Sequence, residues 1–295
     1  MILPQRTYKP FKDGEKSIRD DVIFKIAFGS NYRSEFLKDF LEGILYKRIT
    51  NISIQNEVTL DKLHADNKMM RLDILVEAED ENGLKEKINV EMQNKNEYNV
   101  RERSYAYAGG IIYNSLQVKD RYIDIPRTVV IWILGYNLFK DGNYHEIARV
   151  KRDFNNEELL QKPEYHYIQL PKFLEQVKEI KTKEEQWLAY ISNSLNKEEL
   201  EELFKMNRSI EEINKIVDIV MTDSDVRDAL NERILAKNLE DLKMAKARED
   251  GIEKGIEQGE KATQIKIAKR LLENNVEIEL IMKTTGLTRA EIENL

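Results

Sequence analysis

The sequence predicts an α/β fold whose core runs helix, three strands, helix, strand, with an all-α C-terminal region after it. Three observations carry this. Apolar residues recur at helical spacing over 18–46, and three runs of strand character follow, the last two joined by an Asn-Gly turn. From about residue 172 onward the pattern is helical to the end.

Ile18, Val22 and Ile26, then Phe36, Phe40 and Ile44, mark two helices separated at FGSNYRS, where Gly29 and Asn31 break the first. Strands are expected over ISIQNEVTL (52–60), MMRLDILVEAE (69–79) and KINVEMQ (87–93). The linking DENGLK contains Asn82-Gly83, the strongest short hairpin signal in the chain, so an antiparallel hairpin is expected from about 69 to 93. Residues 98–118, rich in tyrosine and alanine, read as a helix, and TVVIWILGYN (128–137) is short and apolar enough for a buried strand. YHEIARV and YHYIQLP extend the sheet or its edge, with Pro171 compatible with a strand end.

These elements divide the chain into a first domain over 1–172, a helical region over 173–245, a charged glycine-containing helical linker over 246–262 and a small helical module over 263–295. In the linker, EDGIEKGIEQGEKA repeats glycine every four residues at Gly251, Gly255 and Gly259. Two readings are open: a solvated charged helix, or a small-residue stripe where the helices of two copies approach. The last module reads as three short helices, with turns at Asn274-Asn275 and Thr285-Gly286 and a capping box from Thr288 to Glu291. That spacing suits a helix-turn-helix or a docking module. The acids Glu291 and Glu293 on the short last helix favour docking.

Composition narrows the chemistry. The chain has 295 residues, of which 41% are apolar, and no run approaching the ~18 apolar residues of a membrane span. MILPQRTYKP lacks the apolar core of a signal peptide, which argues for a cytoplasmic protein. With no cysteine and three scattered histidines, a thiolate or zinc centre is not expected, so a catalytic metal would be a hard ion held by carboxylates. A net charge of −7 argues against coating nucleic acid through bulk positive charge. A local basic groove remains open, because Lys95, Arg101, Arg121, Arg127, Arg149 and Arg152 fall in the middle of the chain.

Asp73 interrupts Met70, Leu72, Ile74, Leu75 and Val76 in what should be a buried strand, where an unpaired carboxylate costs several kcal/mol and so calls for a partner or a metal. In INVEMQ the alternation puts Asn89, Glu91 and Gln93 on one face. Pairing about Asn82-Gly83 sets position 73 near 92, so Asp73 and Glu91 reach one ion provided a bulge or the twist aligns their faces. The bland alternative is a salt bridge at a sheet end, Asp73 with Arg71 or Glu91 with a lysine.

The runs DDVIFKIAFG, RLDILVEAED, NVEMQ and RERSYAYAGGIIYNSL, in this order and spacing, resemble the PD-(D/E)XK nuclease family transposases, close to the recombination-promoting nucleases, and TGLTRAEIENL is similar to the family's usual ending. The resemblance implies a restriction-endonuclease-like core and a metal-dependent DNA endonuclease of mobile-element or recombination processes. It makes Asp73 and Glu91 the catalytic and metal-binding acids, for magnesium or alternatively manganese. Gln93 stands where the wider superfamily has lysine, and can orient water or donate to a phosphate without adding charge. Lys25 could supply charge from the first helix, although an exposed ion pair with Asp21 is its plainer role. Arg103 and Tyr107 share a face of the next helix, for phosphate contact or for packing. The expected partners are DNA and a second copy docked through the C-terminal helices. The alternative function is a nuclease fold without efficient catalysis, serving as a DNA-binding or protein-docking module. A third positioned acid is not assigned, Glu57 being a weak candidate.

Overall fold

The first helix begins where Asp20 caps it, its carboxylate accepting from the backbone N–H groups of Val22 and Ile23. This helix, α1 (Asp21–Phe28), is followed by a 3₁₀ turn at Asn31–Arg33 and by α2 (Ser34–Leu45), so the break falls where FGSNYRS placed it. The computed structural model describes residues 1–12, 17–56, 59–60, 70–116, 119–159, 163–222, 259, 261–274 and 276–295. Glu57, His64, Gly251, Gly255 and Asn275 lie outside them, as do the side chains of Asp21 and Arg71.

The strands are β1 (Ile49–Asn56), the short pair β2 (Thr59–Leu60) and β3 (Met70–Arg71), β4 (Ile74–Asp80), β5 (Lys85–Gln93), β6 (Arg127–Leu134), β7 (His145–Arg149) and β8 (Glu164–Gln169). Six of them form one mixed sheet in the order β1-β4-β5-β6-β8-β7. The β1-β4, β4-β5 and β7-β8 pairs are antiparallel, whereas β5-β6 and β6-β8 are parallel. The parallel step from β5 to β6 needs a crossover, which α3 (Val100–Asn114) supplies. The α/β core of helix, three strands, helix and strand is therefore present, and β8 and β7 extend the sheet to its edge.

Alternation along the strands sorts the interior into two layers. Ile88, Val90, Met92, Val129, Ile131 and Ile133 face Phe24, Phe28 and Phe40 of α1 and α2. On the other side Leu75, Val130, Trp132, Leu134 and Tyr167 face Val100, Tyr107, Ala108 and Ile111 of α3. Each large side chain removed from water contributes about 1.5–3 kcal/mol. The helices α4 (Leu170–Gln176), α5 (Lys183–Ile191), α6 (Lys197–Met206) and α7 (Arg208–Thr222) add Phe173, Trp187, Leu203 and Ile213 to the first layer. The Trp187 ring lies 5.6 Å from Phe28 and 5.8 Å from Phe40. The boundary expected near 172 runs through this continuous core, and Met1–Leu230 forms one compact unit. Pro171 stands in the first turn of α4 rather than ending a strand, a place that needs no backbone N–H.

The second unit, Asn231–Leu295, has three helices among its described residues: α8 (261–273), α9 (Ile278–Thr285) and α10 (Arg289–Glu293). They close on Ala268, Ile281, Leu287 and Ile292. Gly286 ends α9 in the left-handed region at φ 74°, and the expected capping box between Thr288 and Glu291 opens α10. Among the described residues no helix is long and apolar enough to cross a membrane.

The β4-β5 hairpin departs from the two-residue turn expected at Asn82-Gly83. Its loop has three residues, Glu81–Gly83, closed by Asp80 N–H donating to Leu84 O at 3.1 Å, with Gly83 at φ 76°. The Asp80 carboxylate holds it by accepting from the N–H groups of Asn82 and Leu84. Ile74 consequently pairs with Val90, not Glu91, and continuing that register by one residue sets Asp73 opposite Glu91. The shift brings the two acids to the same face.

A buried ionic chain lies across the starts of the parallel strands. Arg127 pairs with Glu86 and Glu164, each at 2.7 Å, while Lys47 also reaches Glu86 and Arg149 also reaches Glu164. The chain continues from Glu164 to His166 at 2.8 Å, from His166 to His145 at 2.8 Å, and from His145 to Glu184 at 2.6 Å. Burial, set against the Glu164 hydrogen bond, holds the His166 imidazole below its usual pKa.

Candidate active site

Asp73 sits in the break between β3 and β4 rather than inside a strand, which corrects the sequence expectation. Pairing with β5 starts only at Ile74, so the Asp73 N–H is released from the ladder and donates to Glu91 Oε1 at 3.0 Å. Asp73 Oδ2 in turn accepts from Met92 N–H at 3.3 Å.

Glu91, near the end of β5, is 2% exposed. Its Oε1 also accepts from Asn89 Nδ2 at 3.0 Å, and its Oε2 lies 3.4 Å from Arg103 Nη2. Burial and the neighbouring Asp73 charge push the Glu91 carboxyl up to about 8, against the pull of the two hydrogen bonds and of Arg103. Two positions on, Gln93 faces the same way. Its Oε1 accepts from Arg103 Nη1 at 3.1 Å and its Nε2 donates to Lys95 O at 2.9 Å.

Lys25 Nζ lies 2.8 Å from Asp73 Oδ1, so its observed partner is the candidate acid across the site. Arg103 lies over the Trp132 ring at 4.8 Å and donates to the Tyr107 hydroxyl through Nη2 at 2.8 Å. Tyr107 itself packs on the sheet, its ring stacked 5.9 Å from Trp132. Burial, then the Glu91 charge, push its phenol up. The two residues differ in their contacts: Tyr107 packs on the sheet, and the Arg103 guanidinium reaches Glu91 and Glu97. All six residues singled out from sequence, Lys25, Asp73, Glu91, Gln93, Arg103 and Tyr107, form one connected cluster.

Two features escaped the sequence. Asn89 is fully buried and orients Glu91, and its place two residues before Glu91 on the same face was the available signal. Ser104, buried on α3, accepts from Trp132 Nε1 at 2.9 Å and from the Tyr167 hydroxyl at 3.0 Å, fixing the platform under Arg103. Of the mid-chain basic residues, four are paired with acids: Arg121 with Asp124, Arg152 with Glu157, and Arg127 and Arg149 with buried acids.

The donor set suits a hard divalent ion. Two carboxylates meet whose like charges already oppose each other, and magnesium or manganese favours such oxygens. Among the described residues no group of three or more His, Asp or Glu side chains could hold a metal, so an ion at this place would have Asp73 and Glu91 as its acids. Water and phosphate oxygens would supply the rest of a six-oxygen shell.

Comparison with curated proteins and with solved structures gave no significant match. Residues 261–295 match the model described as the Rpn/YhgA-like nuclease family, C-terminal HTH domain, so the helix-turn-helix reading of the last three helices gains over the docking reading. Residues 18–249 match the model described as PD-(D/E)XK nuclease family transposase, a span that takes in all six clustered residues and most of the chain, and the protein belongs to that family.

Proposed function

We propose that the protein is a magnesium-dependent DNA endonuclease of the cytoplasm, hydrolysing phosphodiester bonds at the Asp73–Glu91 pair in mobile-element or recombination processes. The observation that carries this is the contact of two acids on one face, with Glu91 buried, raised and flanked by Gln93. Raised acids beside a second carboxylate mark sites built for a cation or a proton. In the reaction a water oxygen bonds to phosphorus and the bond to the leaving sugar oxygen breaks. The water gives up a proton to solvent, and the leaving oxygen gains one. Asp73 and Glu91 would hold the ion, Gln93 would orient the attacking water through its amide, and Lys25 and Arg103 would turn from the acids toward phosphate. Bound magnesium supplies positive charge against a phosphate oxygen and makes the attacking water more acidic.

The test is nicking of supercoiled plasmid with magnesium, manganese or chelator, using Glu91→Gln and Asp73→Asn as controls. Cleavage that requires the ion and both acids supports the reading. Equal nicking by the variants would overturn it. The rival reading, a DNA-binding module without efficient cleavage, is favoured by Gln93 in place of a cation and by the helix-turn-helix match of 261–295. It predicts DNA retention with no ion-dependent nicking. Association of two copies through the C-terminal helices belongs to the same proposal, and light scattering would show it as a doubled mass.

A further inference from the structure

The second motif, Glu91-Met92-Gln93, lacks a charge of its own at its last position. Two cations nevertheless enter the cluster from helices. Lys25 reaches Asp73 from α1. Arg103 comes from α3 and contacts both Glu91 Oε2, at 3.4 Å, and Gln93 Oε1, at 3.1 Å. The guanidinium is therefore centred on the end of the motif, where the side chain of residue 93 also points.

Its seat is fixed on several sides. Trp132 lies beneath the guanidinium at 4.8 Å, the Tyr107 hydroxyl accepts from Nε at 3.2 Å and from Nη2 at 2.8 Å, and Glu97 lies 3.4 Å from Nη1. Trp132 is fully buried and is itself held by Ser104. A planar cation on an aromatic face with its donors directed keeps little freedom to lose when an anion arrives. The side chain as a whole remains 29% exposed to solvent. Gln93 completes the arrangement, because its carbonyl oxygen accepts from Arg103 while its amide nitrogen is tied to Lys95 O.

We infer that Arg103, presented by Gln93, supplies the positive charge that residue 93 itself does not carry, and that it meets the phosphate being cleaved. The inference rests on the nuclease reading and names the residue that completes its site. Glutamine at position 93 is then a bracket for a cation delivered from the next helix. It follows that a cation placed directly at 93 should substitute for the one at 103, which neither a purely structural Arg103 nor a general basic surface would allow.

The experiment is a rescue series: wild type, Arg103→Gln, Arg103→Lys, Gln93→Lys, and the double variant Arg103→Gln/Gln93→Lys, with Lys25→Met and Glu91→Gln beside them. Arg103→Gln keeps a polar amide near the position of Nε but removes the charge and the guanidinium fork, and thermal melting checks that each protein is folded. Arg103→Gln should lower kcat on plasmid about 100-fold, the scale of losing one group that stabilises a developing oxyanion. Adding Gln93→Lys to it should return at least tenfold, and Arg103→Lys should lie between. A second readout needs no cleavage. Affinity for a short duplex in chelator, measured against salt, should lose about one unit of log–log slope in Arg103→Gln and regain it in the double variant.

Unchanged kcat and unchanged slope in folded Arg103→Gln would overturn the inference, and so would a double variant no better than the single one. A loss confined to Lys25→Met would assign the charge to α1 instead and overturn it as well. Should the wild type show no more ion-dependent nicking than Glu91→Gln, the nuclease reading fails by itself. The salt slope then decides whether Arg103 meets phosphate.

Discussion

Glu91 and Glu164 are both carboxylates at 2–3% exposure, one near the end of β5 and the other at the start of β8, and the protein treats them in opposite ways. Burial works to raise Glu164, but the hydrogen bonds from His166 and Arg149 outweigh it, with Arg127 adding to them, and hold that carboxyl down at about 2. Glu91 has one arginine at 3.4 Å, a second acid beside it and two neutral donors, and is pushed up to about 8. Burial alone does not decide which way an acid is shifted. What separates the two is whether the surroundings complete the charge or leave it short, and only the incomplete one can gain from an added cation.

The largest test of this contrast is Arg127→Met. It removes the cation that Glu86 and Glu164 share, leaving Lys47 on one and Arg149 on the other, and should cost about 3 kcal/mol by urea denaturation, the low end for breaking a buried pair. A loss below 1 kcal/mol would mean that the ionic chain is ornamental. Next in size, Glu91→Gln should abolish ion-dependent nicking yet raise the stability of the metal-free protein by about 1–2 kcal/mol at pH 8, by removing a charge that folding holds at a disadvantage. A destabilised Glu91→Gln would put Glu91 in the same class as Glu164.

The pH dependence should divide the two acids further. Because the Glu91 carboxyl is raised, the folded state keeps a proton that the unfolded chain releases near 4.5, so stability falls as pH climbs from there to about 8. Glu164 is lowered, so its contribution is present above 4.5 and fades as pH drops toward about 2. Melting temperatures across pH should show the upper limb flattened in Glu91→Gln and the acid limb unchanged in it. Smallest of all, Lys25→Met should shift stability by less than about 1 kcal/mol, because the side chain is 28% exposed and screened, while manganese binding tightens as a competing cation is removed.

The sequence made some of this legible and hid the rest for identifiable reasons. Asp73 in an apolar run and the alternation of Asn89, Glu91 and Gln93 announced the acid face, since strand period is a local property. The register was not legible, because it depends on Asp80 bonding the N–H groups of Asn82 and Leu84 and so closing a three-residue loop. The His145–His166 contact was invisible: it exists only once β7 folds back antiparallel on β8, and in the sequence the three histidines look scattered. Helices α4 to α7 were expected as helices. That Phe173, Trp187 and Ile213 would join the core of the sheet depends on tertiary packing, which periodicity does not encode.

The three-residue loop has a reach beyond its own turn. Asp73 and Glu91 are separated from it by the whole length of the hairpin, about 20 Å at ~3.3 Å per residue, yet the residue count of the loop decides whether they share a side. Deleting one residue there would leave every residue of the cluster in the sequence and move β5 by one step against β4, turning one acid into the opposite layer. In this fold an acid pair can be dissolved by arithmetic at a distant surface loop, where a comparison of the clustered residues alone would find nothing changed.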